Sequence, residues 1–336
     1  LAVLLAEKFN VVKTEANNNN HIGVPLTIFS ANEKTEILIL EQGTNHFGEI
    51  EYTSKISEPD FGLITNIGDS HLEFLIDRNG VYREKSSLLN YTDKNNGFVF
   101  INVDDPILNE HKNDFNKVIT FGFDADSNYK GEIVEITDEA KTKIKISFKE
   151  KSFETELPIV GESNAKNFLA AFAIAKTIGV SDKQIQKGVE KLKPSKGRLD
   201  VIKTPKAILI DDTYNSNPAS VDAALKVLRS IKTYENKIAI LGDIYELGSQ
   251  AKKIHKELSK FFYENENIIV LTIGDMMKHL NNELKKKKIK TIHFNQRSEL
   301  NLYLQFEEVE NSVILIKGSR GMKMEEFLTT LKTRLQ

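Results

Sequence analysis

The sequence contains no cysteine, which excludes disulfides and thiolate-held metal sites. It contains no apolar run close to the roughly 20 residues that a membrane-spanning helix needs. Neither sign of charge dominates, since 46 basic and 48 acidic residues leave a net −2. That balance gives no basis for broad electrostatic attraction to nucleic acid or anionic lipid, and the absence of cysteine is compatible with a cytoplasmic protein. The one basic concentration, Lys285 to Lys288, reads as a solvated helix end. No G-x-G-x-x-G follows any candidate strand, which argues against a dinucleotide dehydrogenase. The phosphate-loop pattern G-x-x-G-K-[ST] is also absent.

What is present is enough for real cores. Apolar residues make up 40% of 336 residues, a length that favours two domains. In the first half, Ile37–Leu40, Phe61–Ile64, Phe98–Ile101 and Val118–Phe121 are short apolar runs, as expected of strands buried on both faces of an α/β sheet. Between about Gly131 and Ile159 apolar and polar residues alternate, which predicts a small antiparallel segment with one wet face. Helical patterns cover Leu1–Phe9, Asn167–Ile178 and Asp182–Leu192. Lys193-Pro194-Ser195-Lys196-Gly197 interrupts the last of these and reads as a linker. Beyond it, Ala207–Ile210, Lys237–Leu241, Ile268–Ile273, Thr291–Phe294 and Val313–Ile316 alternate with helical stretches such as Ser220–Ile231. That rhythm predicts a doubly wound, mostly parallel sheet. The expected organisation is an ATPase-type α/β domain over 1–195 and a Rossmann-like domain over 196–336.

Ligands of open α/β sheets bind beyond the carboxyl ends of strands. There this chain places Glu41, then Asn66 to Glu73 with His71, then Asp211 to Pro218, then Lys317 to Gly321. Strands that end repeatedly in carboxylate, amide, imidazole or cation suit a phosphorylated ligand with a metal. From position alone, Glu41 is either a loop carboxylate or a Mg²⁺ ligand. His71 either packs a loop or binds, Asp212 either forms an Asx-type turn or binds, and Lys85 looks like any solvated helical lysine.

Taken in order, these motifs carry a resemblance. Thr14, Asn17, Asn19-Asn20 and Ile22-Gly23-Val24-Pro25-Leu26 come first. Glu41-x-Gly43, Asn45 and Gly48-Glu49-Ile50 follow, then Asn66-Ile67-Gly68 with His71-Leu72-Glu73. Gly161, Asn164, Asn167, Ala170-Ala171 and Gly197-Arg198 precede Asp211-Asp212-Thr213-Tyr214-Asn215-Ser216-Asn217-Pro218, the most diagnostic stretch. Leu241-Gly242-Asp243, Glu246-Leu247-Gly248 and Lys317-Gly318-Ser319-Arg320 complete the series. Over nearly its whole length the chain resembles the Mur ligases, ATP-dependent amide ligases of bacterial cell-wall synthesis. Among them it is most similar to the kind that joins D-alanyl-D-alanine to UDP-N-acetylmuramoyl-tripeptide.

The resemblance implies roles. Glu41 and His71 would hold Mg²⁺, and Lys85 would be carbamylated to serve a second metal. Asn164 and Asn167 would lie along the adenine, Arg198 would reach the γ-phosphate, and Asp212 would bind the ribose with Asn215 beside it. Asn19 and Asn20 would support the muramyl-peptide site. Asn217, Lys317, Ser319 and Arg320 would serve substrate, the last three lining the dipeptide site. ATP would convert a carboxylate into an acyl phosphate, which the dipeptide amine attacks, with closure about Lys193–Arg198 positioning the reactants. A monomer is expected.

There are two departures. Ser163 stands where the family often has His. The phosphate loop, which the family carries just before a helix like Leu1–Phe9, is missing, so the native protein is expected to begin earlier. A folylpolyglutamate synthetase-like ligase and a non-catalytic fragment are the rival readings; Asp211–Pro218 and the Asn-rich opening argue against the first.

Overall fold

The computed structural model describes residues 1–68, 72–124 and 126–336. His71 lies outside them. Packing divides the chain into two units: Leu1–Val134 with Lys143–Leu157 and Ser163–Leu192, and Lys193–Gln336 with Glu135–Thr142 and Pro158–Glu162. The two short segments, read from sequence as part of the first domain, fall in the second because Ile136, Ala140 and Val160 join its core.

The first unit begins with α1 (Ala2–Leu5), β1 (Val11–Lys13), α2 (Gly23–Phe29), β2 (Ile37–Ile39) and α3 (Glu49–Ser57). Helix α1 is shorter than the Leu1–Phe9 pattern predicts. Beyond it the chain continues as turns to Phe9, whose N–H meets the Leu5 carbonyl at 2.9 Å, and Gln184 donates its side-chain amide to the Glu7 carbonyl at 3.2 Å. There follow β3 (Phe61–Ile64), α4 (Leu72–Leu75), α5 (Arg78–Lys94), β4 (Phe98–Asn102), α6 (Pro106–Glu110) and β5 (Val118–Gly122). Strands β6 (Tyr129–Ile136), β7 (Thr142–Phe148) and β8 (Lys151–Leu157) lead to α7 (Glu162–Thr177) and α8 (Asp182–Glu190).

One sheet has the order β3-β4-β5-β6-β7-β8, with β3 through β6 parallel. The two-residue link between β7 and β8 forces an antiparallel hairpin, where the sequence alternates. Against β3 and β4, α5 packs Val81 and Leu89 onto Ile64, Val99 and Ile101. Strand β2 pairs instead with β1 in a separate two-stranded parallel sheet. It is only half-buried, which the apolar run alone did not reveal.

The second unit contains β9 (Asp200–Lys203), β10 (Ala207–Asp212), α9 (Pro218–Ser230), β11 (Asn236–Gly242) and α10 (Ala251–Glu257). It continues with β12 (Ile268–Ile273), α11 (Met277–Lys286), β13 (Thr291–Phe294), α12 (Arg297–Phe306), β14 (Ser312–Lys317) and α13 (Glu325–Leu335). The sheet order is β13-β12-β11-β14-β10-β9, parallel except for β9 at one edge. Period-two alternation sends Ile208, Ile210, Val313 and Leu315 to one face with Val221, Leu225 and Leu280. It sends Leu209, Ile314 and Ile316 to the other with Leu304, Phe327 and Leu331. Helices on both faces of a parallel sheet are the doubly wound fold expected from the sequence. Lys285 and Lys286 occupy the last turn of α11, where the helix dipole favours cations.

His255 on α10 is fully buried and neutral by its contacts: Nδ1 meets the Ala251 carbonyl at 2.7 Å, and Nε2 accepts the Ile244 N–H at 3.0 Å. Burial lowers its pKa, with the Ala251 hydrogen bond opposing. A depressed folded pKa means stability fully present above the unfolded value, about 6.5, and lost as pH falls through the folded value. Urea unfolding should therefore weaken from about pH 6.5 downward, by at most about 1.4 kcal/mol per pH unit from this group. The His255→Gln variant should show a shallower slope; equal slopes would remove His255 from the account.

Candidate active site

In the first unit Asn19 and Glu41 meet at the loop that follows β2. Thr14 Oγ1 accepts the Glu41 N–H at 2.9 Å. Asn19 donates to Glu41 Oε1 at 3.2 Å, and its carbonyl accepts the Gly43 N–H at 2.7 Å. Asn19 therefore aims the Glu41 carboxylate, which is itself exposed. Asn20 is occupied differently: its Oδ1 accepts the N–H groups of Ile22 and Gly23 at 3.0 and 2.9 Å, closing the start of α2.

The next segment, 44–50, is held by two carboxylates. Glu84 is 2% exposed and accepts from Gly48 N at 2.7 Å, Ile50 N at 2.8 Å and Thr44 Oγ1 at 3.1 Å. Glu49 accepts from Asn45 N at 2.6 Å and His46 N at 3.1 Å. Burial alone would raise the Glu49 pKa, but those backbone bonds and Thr44 carry it below the usual value. Gly48, at φ 93, begins α3 in the left-handed region, which costs a glycine little. Sequence reasoning missed Glu84. The signal was a carboxylate three residues after Val81, on the apolar face of α5.

Lys85 follows Glu84 on α5 and is half-buried. Burial lowers its pKa, while the charges of Glu41 and Glu84 oppose the shift. So Lys85 and Glu41 share one electrostatic neighbourhood although they are 44 positions apart. Among the described residues no group of three or more His, Cys, Asp or Glu side chains is arranged to hold a metal. Glu41 nonetheless suits Mg²⁺, which binds through one or two carboxylates and keeps water or phosphate in its other positions. On α7, Asn164 and Asn167 stand three residues apart near the N-terminal end, and so on one face.

In the second unit the candidates meet at the carboxyl ends of β10 and β14, where Asp212 is directly opposite Lys317. Lys317 Nζ lies 2.6 Å from Asp212 Oδ2 and donates to the Asn215 carbonyl at 3.0 Å. Asp212 Oδ1 accepts the Leu199 N–H at 3.1 Å. Burial pushes Asp212 up and Lys317 down, and their contact opposes both shifts. Gly197 is left-handed at φ 73 and accepts the Tyr214 N–H at 2.9 Å. Arg198, exposed, lies over the Tyr214 ring at 4.3 Å. Asn217 caps α9 by accepting the Ser220 N–H at 2.8 Å, and Asn215 accepts the Ser216 N–H at 2.8 Å. Ser319 is buried and accepts the Tyr245 N–H at 2.8 Å. Arg320 is exposed and reaches Glu325 at 3.3 Å. Arg198 and Arg320 are thus exposed, one stacked and the other ion-paired, while Asn217 Oδ1 and Ser319 Oγ accept backbone N–H groups.

Residues 1–175 match the Mur ligase middle domain, and residues 197–320 match the Mur ligase, glutamate ligase domain. The chain belongs to the Mur ligase family. It is 33% identical over 337 residues to the UDP-N-acetylmuramoyl-tripeptide–D-alanyl-D-alanine ligase of Bacillus subtilis, covering 98% of this chain and 71% of that protein. Its fold superposes on MurF from Acinetobacter baumannii with a TM-score of 0.89 at 29% identity, over 99% of this chain and 72% of the other. MurF from Thermotoga maritima, solved in complex with ADP, gives a TM-score of 0.85 at 24% identity over 99% of this chain and 75% of the other; at that identity the likeness shows the fold. The Mur ligase match accounts for the ordered motifs at the strand ends. Among the described residues no helix is long and apolar enough to cross a membrane.

Proposed function

We propose that this Mur ligase joins D-alanyl-D-alanine to UDP-N-acetylmuramoyl-tripeptide at the expense of ATP, through an acyl phosphate. The observation that carries the reading is the 33% identity to the Bacillus subtilis ligase of that name across 98% of the chain. The Glu41–Lys85 neighbourhood supports it, because phosphoryl transfer to a carboxylate concentrates negative charge that the protein must offset.

Each residue then has a task. Asn19 aims Glu41, and Glu41 holds the metal. His71, outside the described residues, is its assigned partner. Lys85, its amine kept more available by burial, adds carbon dioxide and becomes an anionic oxygen donor. Bound Mg²⁺ supplies charge neutralisation on the phosphates and the acyl phosphate. Asn164 and Asn167 face the adenine, Asp212 accepts from the ribose, and Arg198 is free to swing from Tyr214 to the γ-phosphate. Asn20, Asn215 and Asn217 shape the segments that meet substrate, and Arg320 offers its guanidinium to the dipeptide carboxylate. The chain works as a monomer in the cytoplasm.

The acyl-phosphate step has a direct test in the native gene product. With ¹⁸O in the terminal carboxylate of the tripeptide, turnover should deliver one label into inorganic phosphate. Label retained wholly in the peptide product would refute activation by phosphorylation.

A further inference from the structure

We propose that Lys317 is a positioning residue for the nucleotide-binding loop and not a contact for the incoming dipeptide. The inference rests on the ligase reading and reassigns one residue within it. Lys317 is 1% exposed, so no peptide carboxylate reaches its ammonium without opening the packing at the carboxyl ends of β10 and β14. Two of its three N–H donors are already committed, to Asp212 at 2.6 Å and to the Asn215 carbonyl at 3.0 Å.

Those two bonds gather three separate pieces of chain. Asp212 is the last residue of β10, and its other oxygen takes the Leu199 N–H at 3.1 Å. The Tyr214 N–H returns to the Gly197 carbonyl at 2.9 Å, and Arg198 lies on the Tyr214 ring. The segment 197–199, the loop 213–217 and the end of β14 are thus one hydrogen-bonded unit with Lys317 at its centre. Each Asp212 oxygen has taken one donor, and a carboxylate has about four acceptor positions in all. Asp212 therefore keeps acceptor capacity for the hydroxyls of a ribose. Removing the Lys317 charge leaves a buried carboxylate without its counter-ion and frees Asn215, so the loop shifts and the ribose acceptor turns away.

The test compares wild type with Lys317→Met in the native gene product. The ADP dissociation constant is measured by calorimetry, and the KM for D-alanyl-D-alanine at saturating ATP. ADP affinity should fall by about tenfold or more, the loss expected of one hydrogen bond to a charged group. The dipeptide KM should change by less than about threefold. A raised dipeptide KM with unchanged ADP affinity overturns the inference, as do equal changes in both or no change in either. Should Lys317→Met fail to fold, hydrogen exchange on the wild type decides. ADP should slow exchange in 197–199 and 212–217, and D-alanyl-D-alanine alone should not; the reverse pattern overturns the inference. Wild type that binds no ADP would sink the ligase reading and this inference with it, whereas intact ADP binding by the variant sinks only the inference.

Discussion

Lys85→Ala should lower turnover of the native gene product by about a thousandfold, the scale of loss when one group that stabilises transition-state charge is removed. The reason lies in the place of Lys85 on α5. Burial lowers its pKa, although the charges of Glu41 and Glu84 oppose the shift. An unmodified ammonium there would repel Mg²⁺, whereas a carbamate would bind it. Mass spectrometry under native conditions should find Lys85 carrying one added carbon dioxide, lost on acid denaturation. Short-chain carboxylates should partly restore the Lys85→Ala variant by supplying the missing oxygens. Near-normal activity of that variant at low bicarbonate would end the metal role.

Glu84→Ala should cost about 3 kcal/mol of stability in the first unit, because it leaves the Gly48 and Ile50 N–H groups without their acceptor, while the Thr44 hydroxyl keeps the His46 carbonyl at 2.9 Å. The loss is concentrated in 44–50, so hydrogen exchange there should accelerate far more than in β4, whose Val99, Phe100 and Ile101 lie in the core. Glu84→Gln should fall between, since its amide keeps one acceptor and sets an NH₂ against an N–H. Urea unfolding of the three proteins is the measurement. An alanine variant as stable as wild type would mean that the loop is held by Glu49 alone.

The sequence made the second unit's sheet readable because each strand is a run of apolar residues buried on both faces, ended by polar residues. Ile268–Ile273 and Thr291–Phe294 have the bounds read from the sequence. Strand β9 was not legible: Asp200-Val201-Ile202-Lys203 is short and half-exposed, and only its pairing to β10 makes it a strand. At the site, residue type was easier to read than partner. A lysine after an apolar strand looks like a ligand-binding cation, yet Lys317 is spent on Asp212 across the sheet. The resemblance gives Asn217 to substrate, and in the structure its Oδ1 caps α9. Glu84 was invisible for the converse reason: a carboxylate among apolar neighbours becomes meaningful only when three donors from 34 to 40 residues away converge on it.

Every residue role above depends on one activity, amide-bond formation to D-alanyl-D-alanine with ATP. The most direct measurement incubates the native gene product with ATP, Mg²⁺, UDP-N-acetylmuramoyl-tripeptide and an equimolar mixture of D-alanyl-D-alanine and L-glutamate, and reads the products by mass spectrometry. The expected result is the pentapeptide product, one ADP and one phosphate per amide formed, and no glutamyl product. Glutamate addition, or ATP hydrolysis indifferent to the dipeptide, would contradict it.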